Sequence, residues 1–207
     1  MGKDSFNSSL GGWRTLSQVR CAANGRVCSK SRMTRARIRQ LEAYLDNGRG
    51  ECHLKQLSIG TLVEQALVFF NRKRYELDSW VVMPNHVHVL LTQRDEPLRK
   101  VIAGWKSYTA KEANRVLGRI GQFWAEDYWD TYMRNEEHTM RTRRYIENNP
   151  VQARLVLDPA QWAWSSARFR DAFGHLEDQF QRSGPSTPAE LSRQDVLVPR
   201  TAGVPPA

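Results

Sequence analysis

Apolar positions along this chain fall into blocks of different period. Ile38, Leu41 and Leu45 recur at helical spacing before Gly48 and Gly50, which predicts a helix over about 34–47. A second helix is expected next. Ser58 is a residue type that caps helices, and Leu62, Val63, Ala66, Leu67 and Phe70 form one apolar stripe that ends at "NRKR". The runs "YELDSWVVM" and "HVHVLLT" are β-type and meet at Pro84-Asn85, residue types that start tight turns, so they predict an antiparallel hairpin. Pro97 suits the first turn of a long helix that runs to about Leu117, with Leu98, Val101, Ile102, Trp105 and Tyr108 or Thr109 on its inner face. "FWAEDYWDTYMR" reads as a short extended segment. Asn135, Glu136 and Glu137 open a further helix, acids first as the macrodipole prefers, and Pro150 is expected to stop it at Asn149. The aromatic stretch "WAWSSARF" is expected to pack against this framework.

The two ends differ from this middle. Asp4 is the single acidic residue of the first 40, so residues 1–33 read as a basic N-terminal arm, or as a divergent first strand through "WRTLSQVRC". Residues 34–178 read as the domain. Residues 179–207, with "SGPSTPAE" and "AGVPPA", read as a disordered tail.

Composition narrows the class of function. In 207 residues, 40% hydrophobic content supports one packed core. No apolar run is long enough to span a bilayer and no secretory signal pattern opens the chain, so a soluble protein of the bacterial cytoplasm is expected, without membrane contact. Cys21, Cys28 and Cys52 are odd in number and lack CxxC spacing, which argues against a disulfide framework or a thiolate zinc site. Lys and Arg number 31 against 22 Asp and Glu, a net charge of +9 that points to nucleic acid as the partner.

The candidate chemistry begins with "NHVH". Side chains two apart in a strand share a face, so His86 and His88 project together while Val87, Val89 and Leu91 point into a core. An HxH pair serves structure as readily as it binds metal, and a metal site needs a third ligand. The helix ending "RRYIENNP" offers one: Tyr145 and Asn149 lie one turn apart on one face. An Asn149 amide oxygen suits Mg²⁺ or Mn²⁺, and the two imidazoles favour Mn²⁺. The plainer reading makes Tyr145 an amphipathic-helix residue and Asn149 a stop before proline.

Together, "WVVMPNHVHVLL", "EEHTMRTRRYIENNPVQARLV" and "WAWSSARF" resemble the REP-associated tyrosine transposases. These are a branch of the single-tyrosine HUH nucleases, related to small bacterial insertion-sequence transposases. The resemblance covers roughly residues 34–170 and implies a ferredoxin-like α+β fold, an antiparallel sheet packed with helices. It implies His86, His88 and Asn149 as ligands of a divalent metal, Mg²⁺ or Mn²⁺, and Tyr145 as the nucleophile. The expected activity is a metal-dependent endonuclease and strand transferase on single-stranded DNA bearing REP-type hairpins, with a 5′-phosphotyrosine intermediate. A hairpin-binding derivative that has lost cleavage is the alternative, and a zinc-stabilised nucleic-acid binder a weaker one. Either a monomer or a homodimer fits.

Among other tyrosines, Tyr108, Tyr128 and Tyr132 have no candidate ligand one turn away; His53 and His175 have no partner spacing, and His138 lies near the N-terminus of the Tyr145 helix with no role assigned. Phosphate contacts are expected from Lys106, Lys111, Arg134, Arg141 and Arg144, with Arg72, Lys73, Arg74 and Arg143 as further candidates. One feature departs from the family. Its usual apolar first strand is missing, and an incomplete sheet would leave the histidine strand with an unpaired edge.

Overall fold

The expected hairpin forms the middle of the molecule. In this computed structural model, which describes residues 13–20, 40, 44–45, 50–125 and 128–177, strand β2 (Tyr75–Val82) turns through Pro84-Asn85 into β3 (His86–Gln93). The turn closes where the Met83 N–H donates to the His86 carbonyl at 2.8 Å. A strand β1 (Trp13–Arg20) lies against the other edge of β3, and β4 (Trp129–Tyr132) lies beyond β1. The order is β2-β3-β1-β4, with every neighbouring pair antiparallel.

Trp13–Arg20 of "WRTLSQVRC" is therefore the divergent first strand, and β3 is paired along both edges. A bulge at Gln18 explains why its alternation is hard to read: Ser17 pairs with His88 and Val19 with Val87, so a strict period of two across the segment mixes two faces. The remainder of 1–33 and the tail 179–207 lie outside the described residues. So does most of the helix expected over 34–47, of which Gln40, Tyr44 and Leu45 are described and helical.

Helix α1 (Leu57–Phe69) precedes β2, and α2 (Leu98–Leu117) links β3 to β4, completing the ferredoxin-like order. Both helices cover one face of the sheet. Ile59, Val63 and Leu67 of α1 join Leu98, Val101, Ile102 and Trp105 of α2 against Val87, Val89 and Leu91 of β3. Thr109 is the buried alternative on α2, whereas Tyr108 is exposed. The opposite face carries a smaller core of Val81, Met83 and Leu90, covered by Ile146 of helix α3 (Glu136–Gln152). A bulge between Leu77 and Ser79 lets β2 serve both cores. Tyr75 and Leu77 face the larger one before it, and Trp80 and Val82 do so after it.

Two helix ends differ from expectation. Gln56, not Ser58, occupies the N-cap of α1 and makes no side-chain cap, so Ser58 lies inside the first turn. Helix α3 does not stop at Asn149 but carries Pro150 within it and continues to Gln152. Proline removes one amide donor, yet near a C-terminus the next turn still closes. Ala153 N–H donates to the Asn149 carbonyl, and Leu155 N–H to the Pro150 carbonyl, each at 2.9 Å. Arg154, with φ of 58°, then ends the run.

"WAWSSARF" covers the free edge of β2. Val82 N–H donates to the Trp164 carbonyl at 2.9 Å and Trp80 N–H to Ser166 Oγ at 3.0 Å.

Candidate active site

Because β3 alternates, His86, His88 and Leu90 share the face that α3 covers. Both imidazoles are fully buried, and their Nε2 atoms stand 2.9 Å apart. Asn85 Oδ1 lies 2.7 Å from His86 Nδ1, and the Asn85 amide donates to the Leu45 carbonyl at 3.0 Å. An Nδ1–H bonded to that oxygen leaves the His86 Nε2 lone pair facing His88. Burial, and secondarily the charge of His88, holds His86 far below the usual imidazole range, and burial brings His88 down to about 4. Both rings are therefore neutral at neutral pH, the form that ligates metals.

Helix periodicity brings α3 to this pair. The Tyr145 ring centroid is 5.6 Å from that of His88, the planes crossing at 77°. Asn149, one turn later, is buried, with Nδ2 3.4 Å from His88 Nε2. Exchanging amide nitrogen and oxygen by a half-turn would bring oxygen to that position. Asn149 Oδ1 and His88 Nδ1 are buried atoms without a hydrogen-bond partner among the described residues.

These donors fit a divalent cation. Two nitrogens held at about 2.1 Å in neighbouring positions of one metal stand about 3 Å apart, the separation of these Nε2 atoms. A carboxamide with an unused oxygen supplies a hard third ligand. Among the described residues no set of three His, Cys, Asp or Glu side chains could hold a metal, which leaves the Asn149 amide as the candidate third side-chain donor beside the two histidines.

The other candidates separate by layer. Arg134 and Arg141 are exposed and line a basin of about 550 Å³ beside Tyr145; Arg144 lines a second, of about 540 Å³, on its other side. Arg143 is committed to Asp78 of β2 through Nε and Nη2, two of its three donor nitrogens. Lys106 and Lys111 lie on α2, across the sheet from the histidines. Lys106 donates to the Ala125 carbonyl at 2.8 Å. The "NRKR" turn sits at the end of β2 away from the histidines, with Arg74 over the Phe70 ring. Tyr108 and Tyr132 are exposed away from the histidine pair, and Tyr128 lies under Lys106.

Three residues near the site were not assigned to it from sequence. Asn85 reads as a turn former, and its bond to Leu45 depends on a distant segment. His138 looks isolated, yet 138, 142, 145 and 149 are spaced along one helical stripe, which is the signal that could have found it. Asn148 lines the second basin.

A family described as transposase IS200 like matches residues 59–149. That match covers less than half of the chain. The matched segment contains His86, His88, Tyr145 and Asn149. A REP-associated tyrosine transposase of Escherichia coli (strain K12) is 25% identical over 108 residues, 51% of this chain and 62% of that protein. The match thus spans less than two thirds of that relative. A solved structure of a REP-associated tyrosine transposase bound to a REP hairpin aligns with a TM-score of 0.51 at 18% identity, over 91% of this chain and 96% of that one. At that identity the likeness speaks for the shared fold.

Proposed function

We propose that the protein is an endonuclease and strand transferase of single-stranded DNA, acting beside hairpins of the REP type through a phosphotyrosine intermediate. The observation that carries this reading is the convergence of Tyr145 and Asn149, from α3, on the His88 ring of a strand far away in sequence. A pure packing role for this helix face would not account for neutral, buried imidazoles beside an unused amide oxygen. The relatives' names, and the hairpin bound to the solved neighbour, support the choice of substrate.

His86, His88 and Asn149 would hold Mg²⁺ or Mn²⁺, which supplies Lewis-acid charge relief to a phosphodiester. Tyr145 does the covalent work. Its phenol gives its proton to water, the Oη–P bond forms as the P–O3′ bond breaks, and the departing strand takes up a proton as a free 3′-hydroxyl. The 5′ end stays on the enzyme. A second 3′-hydroxyl reverses the exchange at phosphorus and returns the phenol, so no nucleotide cofactor is needed. The half-buried position of Tyr145 on a rigid helix fixes its approach, while its two flanking basins admit the strand.

A denaturing-gel assay with a labelled single-stranded hairpin substrate and Mn²⁺ tests this. The wild type should give a covalent adduct that EDTA prevents, and Tyr145→Phe should give none while still binding. Absence of a wild-type adduct with retained binding would make the protein a hairpin binder.

A further inference from the structure

Tyr145 stands on the divide between two solvent-filled basins that differ in chemistry. The first is lined by Arg134, His138 and Arg141 together with Asn135 and Thr142, and no carboxylate enters its wall. The Arg134 side chain has no partner among the described residues, and Arg141 is held only loosely, by Glu137 at 3.7 Å. His138 Nδ1 faces the Arg134 backbone N–H at 3.5 Å, so Nε2 is the ring nitrogen left to donate. The second basin is lined by Asn148 and Gln152, one helical turn apart, with Arg144, Glu147 and Pro159. Its carboxylate is already engaged through Oε1, which accepts from Ser166 Oγ at 2.6 Å and from Arg170 at 2.8 Å. The Asn148 and Gln152 amides have no partner among the described residues, and each offers both a donor and an acceptor.

We infer that the two basins divide the handling of the strand at Tyr145. The Arg134–His138–Arg141 basin seats a backbone phosphate next to the one attacked, and the Asn148 and Gln152 amides read the base of the nucleotide on the other side. This rests on the proposed DNA-cleaving function and adds its specificity determinants. Guanidinium and imidazole donors without an acceptor suit a phosphate oxygen, which every nucleotide presents alike. Paired amides suit a base edge, since a donor and an acceptor side by side meet the amino, imino and carbonyl groups by which the bases differ. A phosphate among the amides would find one cation, whereas the other basin sets two guanidiniums where a neutral base edge needs none.

The test uses the full chain carrying Tyr145→Phe, which cannot form an adduct, and selects bound molecules from a randomised single-stranded pool beside a fixed hairpin. The parent should enrich one base at a single position, and Asn148→Ala or Gln152→Ala should lower that enrichment about tenfold or more. Gln152→Glu keeps the size but removes the donor, and should change the preferred base rather than erase it. Arg134→Ala, His138→Ala and Arg141→Ala should weaken binding of every sequence alike, and each arginine loss should reduce the salt dependence by about one contact. Unaltered base preference in the amide variants, or altered preference in the cationic ones, would overturn the division. Selection reads binding alone, so its failure is distinct from failure of the adduct assay. Circular dichroism of each variant, all at surface positions, separates loss of contact from loss of fold.

Discussion

Asn85 shows how much one carboxamide controls here. Its oxygen meets His86 Nδ1 and its amide is anchored on the Leu45 carbonyl, so the ring is fixed in both tautomer and orientation. Such outer partners are worth about 10–100-fold in metal affinity. Asn85→Ala should therefore weaken Mn²⁺ binding by that order in calorimetric titration, and undiminished affinity would mean the ring is oriented by other groups. A second residue sets an alkaline limit. Tyr75 donates to the Leu67 carbonyl at 2.6 Å, accepts from Trp105 Nε1 at 2.9 Å and is fully buried, which drives its phenol far above the usual range. The unfolded chain releases that proton near pH 10 and the folded chain keeps it, so the contribution is whole below about pH 10 and is lost as pH rises beyond it. Urea titrations from pH 9 to 11 should show stability falling less steeply for Tyr75→Phe than for the wild type. At this scale the sequence exposes what periodicity carries: His86 and His88 by period two, Tyr145 and Asn149 by one helical turn. The partnerships of Asn85 and Tyr75 depend on where distant segments meet, which local spacing does not encode.

At the scale of elements, Gly60 is the position where an intrinsic preference and the packing disagree. A glycine inside a helix normally gains about 0.5–1 kcal/mol on replacement by alanine. At Gly60 a Cβ would stand 2.6 Å from Trp164 Cε2 and 2.8 Å from the Leu54 carbonyl oxygen, so α1 and the segment covering β2 would be forced apart. Gly60→Ala should thus destabilise by about 1–3 kcal/mol in thermal melts, and a gain in stability would show that Trp164 can withdraw. The same contest explains which elements were legible. The hairpin and α2 carry strong apolar periodicity and formed where expected. The strand β1 was legible only as one of two readings of its segment, because its bulge breaks the alternation and its place is fixed by backbone pairing to β3 and β4. The end of α3 was misjudged because proline costs a helix its own N–H and crowds the turn before it, while the residues after it keep their donors. Here Ala153 and Leu155 still find carbonyls.

For the whole molecule, the excess of nine positive charges is a weak guide until the fold assigns sides. Part of the basic complement is structural: Arg143 holds Asp78, Arg168 holds the buried Glu64 at 2.6 Å, and Arg170 holds Glu147. The indole count falls the same way, since Trp80, Trp105, Trp124 and Trp164 are buried, each with its N–H bonded internally. Among the described residues, the cations that stand exposed next to Tyr145 are Arg134, Arg144 and the loosely held Arg141, whereas Lys111 is exposed on α2 with the whole sheet between it and the histidines. A short single strand passing over α3 cannot touch both layers at once, so these cations should separate in a salt titration of affinity. Arg144→Ala should lower the slope of log affinity against log salt by about one contact, and Lys111→Ala should leave it unchanged. Equal slopes for the two variants would mean that the strand wraps the molecule instead of crossing the tyrosine helix, and the surface opposite the histidines would then belong to the DNA path.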